Sequence, residues 1–225
     1  MSEPVDPFKL ASLLLQYPTP ELRAALAGVE PRDLEPLRRS RGAVEALLEH
    51  YATASTGELD TLYTETFDFS KQRSLHLSYH LHGDSRQRGI ALLRLKQAYE
   101  AAGFEFISSE LPDYLPLMCE FAALAPDAGR ELLAQHAVSI ELVRASLRRD
   151  DNPYVGALDL VAERLPGLSR RELAKLRRLA AEGPPTEQVG LEPFAPPEVM
   201  GAGSEAAGGL PGGIIGPQPL VGGRE

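Results

Sequence analysis

Three histidines stand close together in the stretch SLHLSYHLH: His76, His80 and His82. On a helix His76 and His80 share a face, and on a strand all three do, so the segment offers two or three imidazoles to a divalent metal. No second group of ligands at metal-like spacing accompanies them. Cys119, the single cysteine, lies in an apolar stretch without an identifiable partner histidine, the wrong setting for an activated thiolate. Being alone, it also excludes an internal disulfide and a multi-cysteine metal or cluster site. No glycine-rich loop follows a strand, so nucleotide phosphates have no visible cradle. A metal-dependent helical enzyme using the histidine cluster is the catalytic alternative that these residues leave open.

A second constellation is electrostatic. In DSRQRGIALLRLKQAYEAAG, Asp84 to Gly103, Asp84 with Gln87 forms a capping-box pattern and Gly103 is a natural helix stop. Leu92, Leu95, Tyr99 and Ala102 fall on one face, while Ile90 and Leu93 point elsewhere. Arg86 and Arg88 then occupy the first turn, where the helix already carries partial positive charge. A guanidinium placed there is best satisfied by a two-oxygen partner. Asp68, Glu65 and Asp113 are the candidates, giving either a structural ion-pair network between helices or a ligand-facing charge.

The elements that position these residues read as helices throughout residues 1–182. Asp6-Pro7 and Thr19-Pro20 each pair a capping side chain with proline at the first helical position. Leu59, Leu62, Tyr63 and Thr66 form an apolar stripe starting after Ser55 or Thr56. Leu133, Ala137, Ile140, Val143 and Leu147 share one face of a long stretch from Pro126 to Arg149. Asn152-Pro153 opens a further helix, and Ser169 with Glu172 caps the last. The reading is an all-α domain of about eight or nine helices. SLHLSYHLH resists, because its period of two suits a strand; with no ladder to join, it is taken as helical or irregular.

From Gly183 to Glu225 glycine, proline and small residues dominate, too poor in apolar anchors to fold. This is a flexible tail, with short docking motifs conceivable at Leu191 to Phe194 or Gly213 to Ile215. The net charge of −9 argues against nucleic acid. The first residues lack a secretory signal and no apolar run is long enough to span a bilayer, so the expectation is a cytoplasmic protein without direct membrane insertion.

The run YTETFDFSKQRSLHLSYHLHGDSRQRGIALLRLKQAYEAAGFEF, followed by ELPDYLPLMCEFAAL, resembles the NarJ-type assembly chaperones, the delta subunits of respiratory nitrate reductase. These belong to the wider group of redox-enzyme maturation chaperones. The resemblance covers roughly Leu10 to Ala180. It implies an all-helical, non-catalytic cytosolic protein that binds the N-terminal segment of the apo catalytic (alpha) subunit. The molybdopterin cofactor belongs to that client, and the chaperone itself carries no cofactor. In the wider group a Pro-Asp-His element lies beside the peptide-binding groove; here it matches Pro112 and Asp113, with Tyr114 in the histidine's place. Candidate groove residues are therefore Tyr63, Phe67, Tyr79, Glu110, Pro112, Asp113 and Tyr114, supported by Asp68, Asp84, Arg86 and Arg88. Asp113 has a local alternative as the cap of the helix containing Met118, Cys119 and Phe121. Tyr63, Phe67 and Tyr79 have one as ordinary core aromatics. A permanent structural subunit of the reductase is the remaining alternative function.

Overall fold

The computed structural model describes residues 5–185 and the backbone of 215–217. Its α-helices are α1 Pro7–Leu14, α2 Pro20–Leu26, α3 Arg41–Thr53, α4 Thr56–Tyr63, α5 Leu77–His82 and α6 Arg86–Ala101. They continue with α7 Leu115–Leu124, α8 Pro126–Gln135, α9 Ala137–Arg149, α10 Val155–Ala162 and α11 Arg170–Glu182. The all-α reading holds, but among the described residues eleven α-helices replace the expected eight or nine.

The extra count comes from breaks that periodicity does not register. His136, at φ −107° and ψ 12°, separates α8 from α9 inside the stretch read as continuous. The apolar stripe survives the break, and Leu133, Ala137, Ile140, Val143 and Leu147 are all buried. Several starts follow from local chemistry. Asp6 Oδ1 accepts hydrogen bonds from Phe8 N at 2.8 Å and Lys9 N at 3.1 Å. Thr19 Oγ1 accepts from Leu22 N at 3.2 Å. Ser55 with Glu58, and Ser169 with Glu172, close reciprocal capping boxes.

The main core gathers apolar side chains from α1, α3, α4, α7, α9 and α10 around an aromatic cluster of Tyr51, Tyr63, Phe67 and Tyr154. A smaller core beneath α11 contains Val138, Leu142 and Leu179, with Leu81, Leu168 and Leu176 against it. Helices α7 and α8 press together so closely that a Cβ on Gly129 would sit 2.7 Å from both the nitrogen and Cβ of Ala122.

Two features bear on the strand-like readings. SLHLSYHLH becomes α5, preceded by one antiparallel bridge between His76 and Tyr114. There Leu77 N donates to Asp113 O at 3.1 Å and Leu115 N to Leu75 O at 2.9 Å. The alternation thus reflects a short extended entry, and the helix takes over once the segment turns. Phe104–Phe106 (β1) pairs antiparallel with Ile215–Pro217 (β2), matching Glu105 with Gly216. Apart from residues 183–185, the rest of the stretch read as a flexible tail, including the motif at Leu191 to Phe194, lies outside the described residues. Among the described residues no helix is long and apolar enough to cross a membrane.

Candidate functional site

The bridge between His76 and Tyr114 sets the site, because it brings the start of α5 onto the turn before α7. Asp113 lies in that turn and is fully buried. Its Oδ2 accepts from Ser78 N at 3.0 Å and Ser78 Oγ at 2.5 Å, while Oδ1 is 3.3 Å from His76 Nδ1. Asp113 therefore caps α5, across the bridge, and not its own helix α7, whose N-cap residue is Tyr114. Arg88, on α6, brings Nη2 to 4.0 Å from Asp113 Oδ2 and Nη1 to 3.4 Å from Asp84 Oδ1. Burial alone would push the Asp113 carboxyl up. Hydrogen bonds from His76 and Ser78, with the charges of His76 and Arg88, outweigh it and hold the carboxyl below its ordinary value.

This arrangement accounts for a basic residue in the first turn of α6. Arg88 also lies over the Tyr79 ring, 5.5 Å from its centroid, so three neighbours share its charge. Asp84 does not cap the helix. Ser85 holds the N-cap position without a side-chain bond, and Asp84 instead reaches forward one turn to Arg88. Arg86 is exposed on the same turn.

Above Asp113 opens a cavity of about 360 Å³. Tyr63, Phe67, Tyr79 and Tyr114 supply its aromatic lining, and Asp68, Lys71, Asp84 and Arg88 its charges. Phe67 and Asp68 arrive there through a widened turn at Thr64–Asp68, where Phe69 N bonds to Thr64 O, five residues back, at 3.3 Å. Such π-type turns offset side chains from the regular helical stripe. Glu110 falls in a neighbouring cavity of about 160 Å³, also lined by Gln16, Tyr17 and Leu117, and Tyr114 borders both. The wall at Tyr114 is fixed by a 3.0 Å bond between the hydroxyls of Tyr63 and Tyr114; Tyr63 in turn donates to Leu15 O at 3.2 Å. Pro112 is buried, its carbonyl taken by Tyr99 Oη at 2.7 Å.

The sequence candidates thus divide by role. Tyr63 and Phe67 are core residues, each 5% exposed, that also line the cavity. Tyr79 and Tyr114 are half-buried, and Asp68 is exposed. Asp113 and Pro112 lie beneath the surface.

The surroundings suit binding better than acid–base chemistry. Burial pushes the Tyr114 phenol up to about 12, partly opposed by its bond to Tyr63, and pushes the Tyr63 phenol higher still. Both remain neutral at physiological pH. The three histidines of the sequence motif do not converge. His76 faces Asp113. His80 is buried with Nε2 2.8 Å from Ser74 O, and His82 is half-buried within the electrostatic reach of Lys175 and His136. Among the described residues no three His, Cys, Asp or Glu side chains are grouped so as to hold a metal ion. Cys119 is fully buried, and burial pushes its thiol far up, away from the reactive thiolate. A metal-dependent enzyme is not favoured by this geometry.

With the site in view, comparison with known proteins is decisive. The chain matches the nitrate reductase delta subunit family over residues 32–159, a span that includes α3 through most of α10 and the whole lining of the larger of these two cavities. It belongs to that family.

This delta-subunit chain is 36% identical over 169 residues to the probable nitrate reductase molybdenum cofactor assembly chaperone NarJ of Bacillus subtilis, covering 73% of this chain and 91% of that protein. It is 32% identical over 160 residues to the nitrate reductase molybdenum cofactor assembly chaperone NarJ of Escherichia coli K12, covering 68% of this chain and 66% of that one. A 95-residue stretch, 42% of this chain, is 38% identical to the nitrate reductase-like protein NarX of Mycobacterium tuberculosis, covering 15% of its length. Relatives named as assembly chaperones do not favour a permanent structural subunit.

Sequence reasoning on this delta-subunit chain missed Ser78, whose hydroxyl and amide both bind Asp113, and Lys71 on the cavity rim. Ser78 sits directly after the first residue of α5, where an acidic acceptor from elsewhere is useful because His76 gives no side-chain cap. Only the long-range bridge identifies that acceptor.

Proposed function

We propose that this chain is a system-specific chaperone whose client is the apo catalytic subunit of a respiratory nitrate reductase. It holds the client's N-terminal segment in the cytoplasm, without catalysis of its own, while the molybdenum cofactor is inserted and before membrane assembly. The observation that carries the reading is similarity to an assembly chaperone over 91% of that protein's length. The cavity beneath Tyr79 and Tyr114 supports it. Its aromatic walls accept apolar side chains of an amphipathic helix, and Asp68 and Asp84 at its edge meet basic ones.

Burying three or four client side chains yields about 1.5–3 kcal/mol each, up to about 12 kcal/mol in all. Ordering and association remove several kcal/mol. The remainder corresponds to about micromolar affinity, near −8 kcal/mol. The test is calorimetric titration of the client's N-terminal peptide into wild type, Tyr79→Ala and Asp68→Arg. Tyr79→Ala should weaken binding about tenfold, or about 1.4 kcal/mol. Asp68→Arg should weaken it most at low salt, where the exposed charge is least screened. Equal affinity in all three proteins would remove the cavity from the binding site, and silence from the wild type would overturn the client assignment.

A further inference from the structure

A larger cavity lies away from the site above. It is a groove of about 900 Å³ between α11 and the ends of α5, α8 and α9. Arg171, Lys175 and Arg178 line it from α11, at spacings of four and three residues that place them along one stripe of the helix. With a rise of 1.5 Å per residue the stripe runs for roughly 10 Å. Leu81 and Val138 supply apolar floor.

The charge here is unbalanced in a chain that is acidic as a whole. Among the described residues no hydrogen bond or salt bridge engages the side chains of Arg171, Lys175 or Arg178. Among the described residues Glu172 is the one acid lining the groove, and its carboxylate accepts from Ser169, at 2.8 Å to N and 2.6 Å to Oγ. The charge of Lys175 also reaches His82 on α5. After burial, the charges of Lys175 and His136 are what hold His82 below its ordinary value. Three cations on one stripe against a single carboxylate, beside an apolar floor, present a surface complementary to an acidic partner.

We infer that the α11 groove is a second docking site, and that it takes an acidic peptide segment of a partner protein. Carboxylates spaced along the segment meet Arg171, Lys175 and Arg178, while apolar residues between them rest on Leu81 and Val138. A single small anion would engage one or two of the cations and leave the floor uncovered. The extended stripe favours a peptide for that reason. This site differs in sign and position from the Tyr63–Tyr114 cavity, and the inference does not rest on the client reading.

The probe is a short fluorescent peptide of alternating glutamate and leucine, titrated by anisotropy against the full chain. Arg171→Glu/Lys175→Glu/Arg178→Glu should lower its affinity at least tenfold. Arg177→Glu, which changes the same helix outside the groove lining, should stay within about twofold. Circular dichroism checks that α11 remains helical in both, and a cooperative urea unfolding transition in the triple variant shows that the chain is folded. The inference is overturned if the acidic peptide does not bind wild type, or if Arg177→Glu costs as much as the triple change. It is equally overturned if inorganic pyrophosphate displaces the peptide at matched concentration, which would mark a small-anion site. Anionic phosphatidylglycerol vesicles binding where the peptide does not would mark a membrane surface instead.

Discussion

Replacing Asp113 should damage the fold before it damages any binding surface. The carboxylate is fully buried and accepts from Ser78 N, Ser78 Oγ and His76 while facing Arg88. In Asp113→Ala the Ser78 amide loses its acceptor, and an orphaned buried group costs about 1–3 kcal/mol. Arg88 also loses one of its two counter-charges, with Asp84 remaining at 3.4 Å. For a fully buried pair that reaches about 3–5 kcal/mol, but the Arg88 side chain is 19% exposed and its nearest approach is 4.0 Å, so only the smaller part applies. The expected total is about 3–5 kcal/mol, a large share of the 5–15 kcal/mol by which domains are ordinarily stable. Asp113→Asn keeps an acceptor for Ser78 and should lose only about 1–2 kcal/mol. Urea unfolding measures both. The folded Asp113 carboxyl is depressed, so its contribution is complete above the ordinary carboxylate range and is lost as pH falls through the folded value. Wild-type stability should therefore decline through acid pH more steeply than that of Asp113→Asn. A loss below about 0.5 kcal/mol in Asp113→Ala, the range of ordinary surface changes, would refute the assignment of Asp113 as the junction of α5, α6 and α7.

Gly129→Ala and Gly156→Ala should each cost about 1–3 kcal/mol by overpacking, since the new methyls would meet backbone of Ala122 and Ala43; thermal unfolding reads the loss. Gly89→Ala, in α6 with nothing within 4 Å of the added carbon, should instead gain about 0.5–1 kcal/mol from helix propensity. Burial, opposed by the bond to Ser74 O, holds His80 below its ordinary value. The unfolded chain then takes up this proton first, so stability should fall as pH drops below about 6.5; His80→Gln should reduce that slope in urea unfolding at several pH values. We propose that residues 1–182 form the folding unit. Ending the chain after Pro185 removes the β2 pairing, three residue pairs worth about 0.2–1 kcal/mol each before the cost of closing the connecting segment. Thermal unfolding should then show a loss below about 2 kcal/mol.

Local chemistry was legible because it acts within a few residues. Asp6, Thr19, Ser55 and Ser169 cap the helices that their neighbours suggest, and the α9 stripe is buried. The site was less legible because its bonds join distant parts of the chain. Nothing near Asp113 says that it caps α5, and nothing near Ser78 supplies an acceptor; the bridge between His76 and Tyr114 makes that pairing. Arg88 needed a carboxylate, but spacing alone could not choose between Asp68 and Asp113. The misreading of Asp84 has a local cause. Two adjacent residues, Asp84 and Ser85, both suit an N-cap, and the pull of Arg88 on Asp84 leaves the position to Ser85. The break at His136 escaped notice because the apolar stripe continues across it.

The most direct measurement of the central claim is the molybdenum content of the nitrate reductase catalytic subunit, purified from cells that contain or lack this chain. The account predicts full occupancy when the chain is present, a subunit largely empty of molybdenum when it is absent, and recovery when it is supplied again. A fully loaded subunit from cells without the chain would contradict it.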